Sequence, residues 1–199
     1  MRKVAIIGRC YSTRSDAPWE DSSWERWTLA WDPAPVTERM FETHLNFRMY
    51  LGTQEEGDFH VGGLRMAKVP VVMLERHEDI PTSVRYPMED VLALVGKATS
   101  KNTPYLESSI AYMMAQALLE LKPGDRIGIW GVDLHCDSEY AFQRPNLEYL
   151  IGLARGKGIK VYIPPQSALL THQMGVPYGY YSSTDAGAPQ TPLPQGKAA

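Results

Sequence analysis

The chain has 199 residues, a formal net charge of −3, 44% apolar and 22% charged residues. That length predicts one domain whose core needs no disulfide framework or structural metal, and the weak negative charge disfavours a role in coating duplex DNA. Two cysteines, Cys10 and Cys136, and no long apolar run predict a reducing cytoplasm and no membrane span; the apolar run after the basic start is too short for a secretory leader.

In chain order, Lys3–Ile7 reads as a short buried strand closed by Gly8. Arg9–Ser23 is a polar loop, and Trp27–Trp31 a second strand stopped by "DPAP". Val36–Tyr50 fits either a short strand or a helix. Gly52–Gly63 reads as a Gly- and acid-rich excursion, and Val69–Leu74 as a strand. Met88–Val95 is a short helix. Ser109–Leu121 is the clearest helix: Ile110, Met113, Met114, Ala117, Leu118 and Leu121 share one face, Ser108 or Ser109 caps it, and Pro123-Gly124 ends it. Arg126–Val132 is a buried strand, Asn146–Gly156 an amphipathic helix and Ile159–Pro164 a late strand. This alternation predicts an α/β, Rossmann-like domain over residues 1–176, its mostly parallel sheet covered by helices on both faces. Val4–Ile7, Ile127–Trp130 and Val161–Ile163 are the expected inner strands. Residues 177–199, rich in Pro, Gly and Ser, are expected to form a partly flexible tail.

Two stretches carry chemistry. In a doubly wound sheet, ligands bind at the carboxyl ends of the strands, where "GRCYSTR" follows the first strand. Gly8 lets a ligand approach the backbone, the Ser12 and Thr13 hydroxyls can cradle an anion, and Arg9 or Arg14 can bind a phosphate. An ordinary turn is the simpler alternative, because neither dinucleotide-loop pattern occurs here. The second stretch is "GVDLHCDSEYAFQRPNLEYLIG". Asp133 follows a buried strand and suits a ribose contact, a base or a nucleophile; Glu139 is a further carboxylate. Pro145 places Arg144 in the loop before the helix, its guanidinium turned to an anion; an ion pair with Glu148 is the structural alternative. His135, Cys136 and Asp137 are too close together to surround one metal ion. His44 in "FETH" is a third candidate base, and Trp19 or Trp31 a candidate stacking partner for a nucleobase. If the winding is as expected, Gly8–Thr13 and Asp133–Arg144 line one cleft.

"VAIIGRCYST" resembles the strand–turn of a Rossmann-like group that includes bacterial CMP-sugar-dependent sialyltransferases and archaeal pterin pyrophosphokinase-like proteins. Cys10-Tyr11-Ser12-Thr13 stands where that group has Gly-Pro-Ser. "SSIAYMMAQALLELKPGDRIGIWGVDL" resembles its helix–strand unit ending in Gly-Ile/Val-Asp, and "EYAFQRPNLEYLIGLARGKGIKVYIP" resembles uncharacterised bacteriophage proteins of the same fold. The resemblance implies nucleotide contacts at Gly8, Ser12, Ser109 and Asp133.

The expected function is a nucleotide-dependent transferase acting on a nucleotide-sugar or a nucleoside di- or triphosphate, with Mg2+ as a candidate companion of the phosphates, in phage nucleotide or DNA modification. The alternatives are an N-glycoside hydrolase or deoxyribosyltransferase-like enzyme, with Glu107, Asp133 or Glu139 as nucleophile, and a non-catalytic module that sequesters a nucleotide. A small nucleotide is the expected partner. Oligomerisation is compatible with the composition, and a phage-encoded chain would work in the host cytoplasm.

Overall fold

The computed structural model describes residues 1–171, except 31, 33, 50–52, 100–101 and 135–139. The predicted tail from 177 lies outside the described residues, as does Trp31. Seven strands form one sheet: β1 (Lys3–Ile7), β2 (Glu25–Leu29), β3 (Arg39–Glu42), β4 (Val71–Met73), β5 (Ser83–Arg85), β6 (Arg126–Trp130) and β7 (Lys160–Tyr162). Their order is β5-β4-β3-β2-β1-β6-β7, and every pairing is parallel. This is an α/β, Rossmann-like architecture. Winding runs outward from β1 to β5 on one side, then returns to β6 on the other. The switch point therefore lies between β1 and β6.

The helices are α1 (Tyr11–Arg14), α2 (Gln54–Met66), α3 (Met88–Val95), α4 (Ser109–Glu120) and α5 (Tyr140–Gly156), with a 3-10 turn at Phe47–Met49. Alternating strand residues face opposite layers, as the two-residue pleat requires. Val4, Ile6, Phe41, Ile127 and Ile129 pack with Val91 of α3, Met113, Met114 and Leu118 of α4, and Leu147 and Ile151 of α5. On other strand faces, Ala5, Ile7 and Trp130 pack with Ala17, Trp19 and Trp24 from the loop after β1. Val71 and Met73 of β4 pack with Val61 and Leu64 of α2 and with Phe47.

Several sequence expectations are corrected. The second strand begins at Glu25, two residues early, because Arg26 is neutralised in place: its guanidinium binds Glu38 and the Asp21 carbonyl, and only 6% of the residue is exposed. The ambiguous 36–50 segment supplies β3 and the 3-10 turn. The Gly-rich excursion is helix α2. Its buried residues Gly57, His60, Val61 and Leu64 follow the i, i+3, i+4, i+7 spacing, and Thr53 caps it by accepting from the Glu56 N–H at 3.2 Å. Packing outweighs the low helix propensity of Gly57, Gly62 and Gly63. Helix α5 starts at Tyr140, so Pro145 lies inside it. Val161–Ile163, expected to be inner, belongs to an edge: β7 closes the sheet, and Lys160 and Tyr162 are exposed. The Arg9–Ser23 loop contains the single-turn helix α1, and β5 is an edge strand without a sequence signal.

Candidate functional site

Two chain reversals meet at the switch point. The Gly8 N–H donates to the Trp130 carbonyl at 2.8 Å, and the Cys10 N–H donates to the Gly131 carbonyl at 2.8 Å. A Cβ on Gly8 would sit 2.4 Å from the Gly131 oxygen, and one on Gly131 would sit 2.5 Å from the Gly8 oxygen. Gly131 also has φ +63°, in the left-handed region. The approach that Gly8 permits is thus first to the β6 turn, with a cleft opening beside it. Thr13 completes the junction: it is fully buried, and its hydroxyl oxygen accepts from the Gly131 N–H at 2.8 Å. Arg14 donates to the Gly8 carbonyl at 2.7 Å and to Asp32 at 2.5 Å. Burial pushes the Asp32 carboxyl up, against the opposing pull of Arg14.

Beside this junction opens a cavity of about 970 Å³ at the carboxyl ends of β1, β3 and β6. It is lined by Gly8, Arg9, His44, Ser109 and Asp133 among the residues expected from the sequence. The N-terminus of α4 enters its wall through Ser108, Ser109 and Ile110. Ser108 caps that helix by accepting from the Ala111 N–H at 3.2 Å, and the Ser109 and Thr43 hydroxyls are 2.9 Å apart. Asn146 of α5, fully buried, fixes the approach to α4: it accepts from the Glu107 N–H at 3.0 Å and donates to the Tyr105 carbonyl at 2.7 Å.

Asp133 is 8% exposed. The Cys10 thiol donates to its Oδ2 at 2.8 Å, while Oδ1 has no partner among the described residues. Leu134, directly after it, has φ +52°, a conformation that costs a non-glycine residue about 1–2 kcal/mol. Strain of this kind gathers where the backbone must aim a side chain. His44 lines the same cavity. Its Nδ1 lies 2.6 Å from Glu42 Oε1, and its backbone N–H donates to the same oxygen at 3.0 Å. The other oxygen, Oε2, lies 2.7 Å from His60 Nε2. Burial raises the Glu42 carboxyl, but the bonds from His44 and His60 outweigh it and bring it down to about 2.

Other expected site residues lie elsewhere or have different tasks. Ser12 is exposed and points its hydroxyl to the Cys10 sulfur at 3.6 Å, off the cavity wall. Thr13 cannot cradle an anion, because its buried hydroxyl serves Gly131. Arg144 sits within α5, not in a loop, and its Nε donates to Glu148 Oε1 at 2.9 Å, one helical turn on. The backbone restriction imposed by Pro145 did not break the helix. Trp19 donates from Nε1 to the Arg14 carbonyl at 3.1 Å and packs in the core, so the exposed aromatic ring on the cavity wall is Tyr11. Glu139, His135, Cys136 and Asp137 lie outside the described residues. Among the described residues no cluster of three or more His, Cys, Asp or Glu is arranged to hold a metal. A phosphate-bound Mg2+ takes only one or two carboxylates, and among the described residues Asp133 and Glu107 are those that line the cavity.

Sequence reasoning missed Cys10, Glu42 and His60. Glu42 did carry a signal, an acid closing an apolar strand two residues before a histidine. His60 had none, because its segment did not read as a helix. Compared with family models, curated proteins and solved structures, the chain matches none.

Proposed function

We propose that this protein is a nucleotide-dependent transferase whose substrate, a nucleotide-sugar or a nucleoside di- or triphosphate, binds in the switch-point cavity. One observation carries this reading. An anion-favouring helix N-terminus, a buried carboxylate with one oxygen unpartnered among the described residues and a carboxylate-held histidine converge on one cavity. Its volume, about 970 Å³, is at the upper end for small-molecule sites and suits a nucleotide together with an acceptor.

In this reading the phosphates lie against the first turn of α4 and Arg9, where the helix dipole and a guanidinium favour negative charge. His44 or Asp133 takes the proton of the acceptor hydroxyl. The hydroxyl oxygen bonds to the transferred group as the bond to the leaving phosphate breaks. The charge that develops on that phosphate is met by α4 and Arg9. The resemblance to CMP-sugar-dependent enzymes and pterin pyrophosphokinase-like proteins supports the same class, and a role in phage nucleotide or DNA modification belongs to this proposal. A second reading, N-glycoside hydrolysis, is favoured by Asp133 alone: this carboxylate lines the cavity, with one oxygen held by Cys10 and no partner for the other among the described residues.

A thermal-shift panel of nucleoside phosphates, nucleotide-sugars and plain nucleosides tests both. A ligand at a hundred times its Kd should add about 2.7 kcal/mol of stability. Stabilisation by nucleotide-sugars or polyphosphates, with transfer to an added acceptor seen by mass spectrometry, supports the transferase. Stabilisation by nucleosides with release of free base supports the hydrolase. No shift with any member of the panel overturns both. If Asp133 is the base, Asp133→Asn should remove activity more than binding.

A further inference from the structure

The cavity histidine does not stand alone. Glu42 closes β3 with its side chain fully buried, where an unpaired carboxylate would cost several kcal/mol. It is satisfied from two directions: Oε1 faces His44 Nδ1 at 2.6 Å and the His44 N–H at 3.0 Å, and Oε2 faces His60 Nε2 at 2.7 Å. His44 follows β3 and lines the cavity, whereas His60 comes from the buried face of α2. An ionised carboxylate only accepts hydrogen bonds. Both facing ring nitrogens must therefore be donors. His44 is held with its proton on Nδ1, which makes Nε2 the proton-accepting atom of its neutral ring. His60 is held with its proton on Nε2.

We propose that Glu42 and His60 are positioning residues for His44, a relay from α2 through β3 to the cavity that fixes the imidazole tautomer and so makes His44, rather than Asp133, the base of the reaction. The catalytic meaning of this inference rests on the transferase reading above. The proton step balances without any further reactant. The acceptor hydroxyl gives its proton to His44 Nε2, and its electron pair forms the bond to the transferred group. Glu42 stays ionised throughout. The proton taken up adds one positive charge to the trio, so the new imidazolium sits beside a buried anion already in place. A purely structural ion cluster would have no reason to end on the cavity wall. Asp133, which lines the same cavity, is then left to orient the acceptor.

The relay is tested on the full chain without any substrate. Long-range proton–nitrogen correlation spectra of uniformly 15N-labelled protein, recorded at alkaline pH where imidazole is neutral, report which ring nitrogen of each histidine carries the proton. His44 is expected as the Nδ1–H tautomer and His60 as the Nε2–H tautomer. In Glu42→Leu, which removes both acceptor oxygens, His44 should lose its single tautomer. A wild-type spectrum with His44 protonated on Nε2 overturns the proposal, and so does a Glu42→Leu spectrum with the Nδ1–H tautomer unchanged. The wild-type spectrum alone decides if the variant does not fold. Once the nucleotide panel has supplied a substrate, Glu42→Gln should lower kcat about a hundredfold or more with KM little changed. His60→Gln, which keeps an N–H donor, should retain most of the activity that His60→Ala loses. Equal kcat in wild type and Glu42→Gln would remove the relay from catalysis even with the tautomer as expected. A correct tautomer without any nucleotide binding would overturn the transferase reading and the relay's catalytic role together, while leaving the hydrogen-bond arrangement intact.

Discussion

Gly8 and Gly131 face each other where β1 and β6 end, each filling the space that the other's Cβ would need. Gly131→Ala must place a methyl group 2.5 Å from a carbonyl oxygen and hold φ near +63°. The combined strain and overpacking should cost about 2–4 kcal/mol, read as a lower midpoint in urea unfolding. An unchanged midpoint would show that the junction yields easily. Glu42 sets a pH dependence. Its carboxyl is near 2 in the folded chain, against an ordinary value of 4.5. A lowered carboxyl stabilises the fold fully above the ordinary value, and that contribution disappears as pH falls towards the folded value. The contribution is on the order of 3 kcal/mol. Glu42→Gln should therefore be less stable than wild type at neutral pH, with a gap that narrows as pH falls from 4.5 towards 2. Chemical denaturation at stepped pH measures that gap, and a constant gap would refute the assignment.

Helix α2 shows how an element is decided by packing rather than propensity. Three glycines argue against it, yet Val61 and Leu64 join Phe47, Val71 and Met73 in one cluster, and His60 reaches Glu42. Its start depends on the Thr53 hydroxyl, which accepts from the Glu56 N–H. Thr53→Ala should cost about 1 kcal/mol, as loss of an N-cap does, with α2 amides exchanging faster while those of α4 are unchanged. Uniform acceleration in both helices would mean that α2 has no separate opening. Helix α5 teaches the reverse lesson. Pro145 removes one backbone donor, yet Leu147, Leu150, Ile151 and Ala154 are fully buried against the sheet. Burial of that face outweighs the local disruption. The break expected before Asn146, and with it a loop position for Arg144, therefore does not occur.

In the molecule as a whole, β1 and β6 are interior strands, each paired on both sides, and β5 and β7 are the two edges of the sheet. Amides of Ala5–Ile7 and Ile127–Trp130 should exchange most slowly with solvent, and those of Ser83–Arg85 and Lys160–Tyr162 fastest among the strands. Comparable rates in β6 and β7 would contradict the strand order. Much of this plan was legible in the sequence. Short apolar runs marked β1, β4 and β6, because a strand covered on both faces has no polar side to interrupt it. Helical spacing and a serine cap marked α4, and turns after buried strands marked the positions of Gly8 and Asp133, which line one cavity. Such signals are local, set by chain periodicity and turn chemistry, so the residues alone determined them. The tertiary structure decided what depends on partners distant in the chain. Arg26 can be buried in β2 because Glu38 neutralises it, and Thr13 is structural because Gly131 comes to its hydroxyl. His44 differs from a packed histidine because Glu42 and, eighteen residues further on, His60 line up behind it at the mouth of a cavity that no single segment encloses.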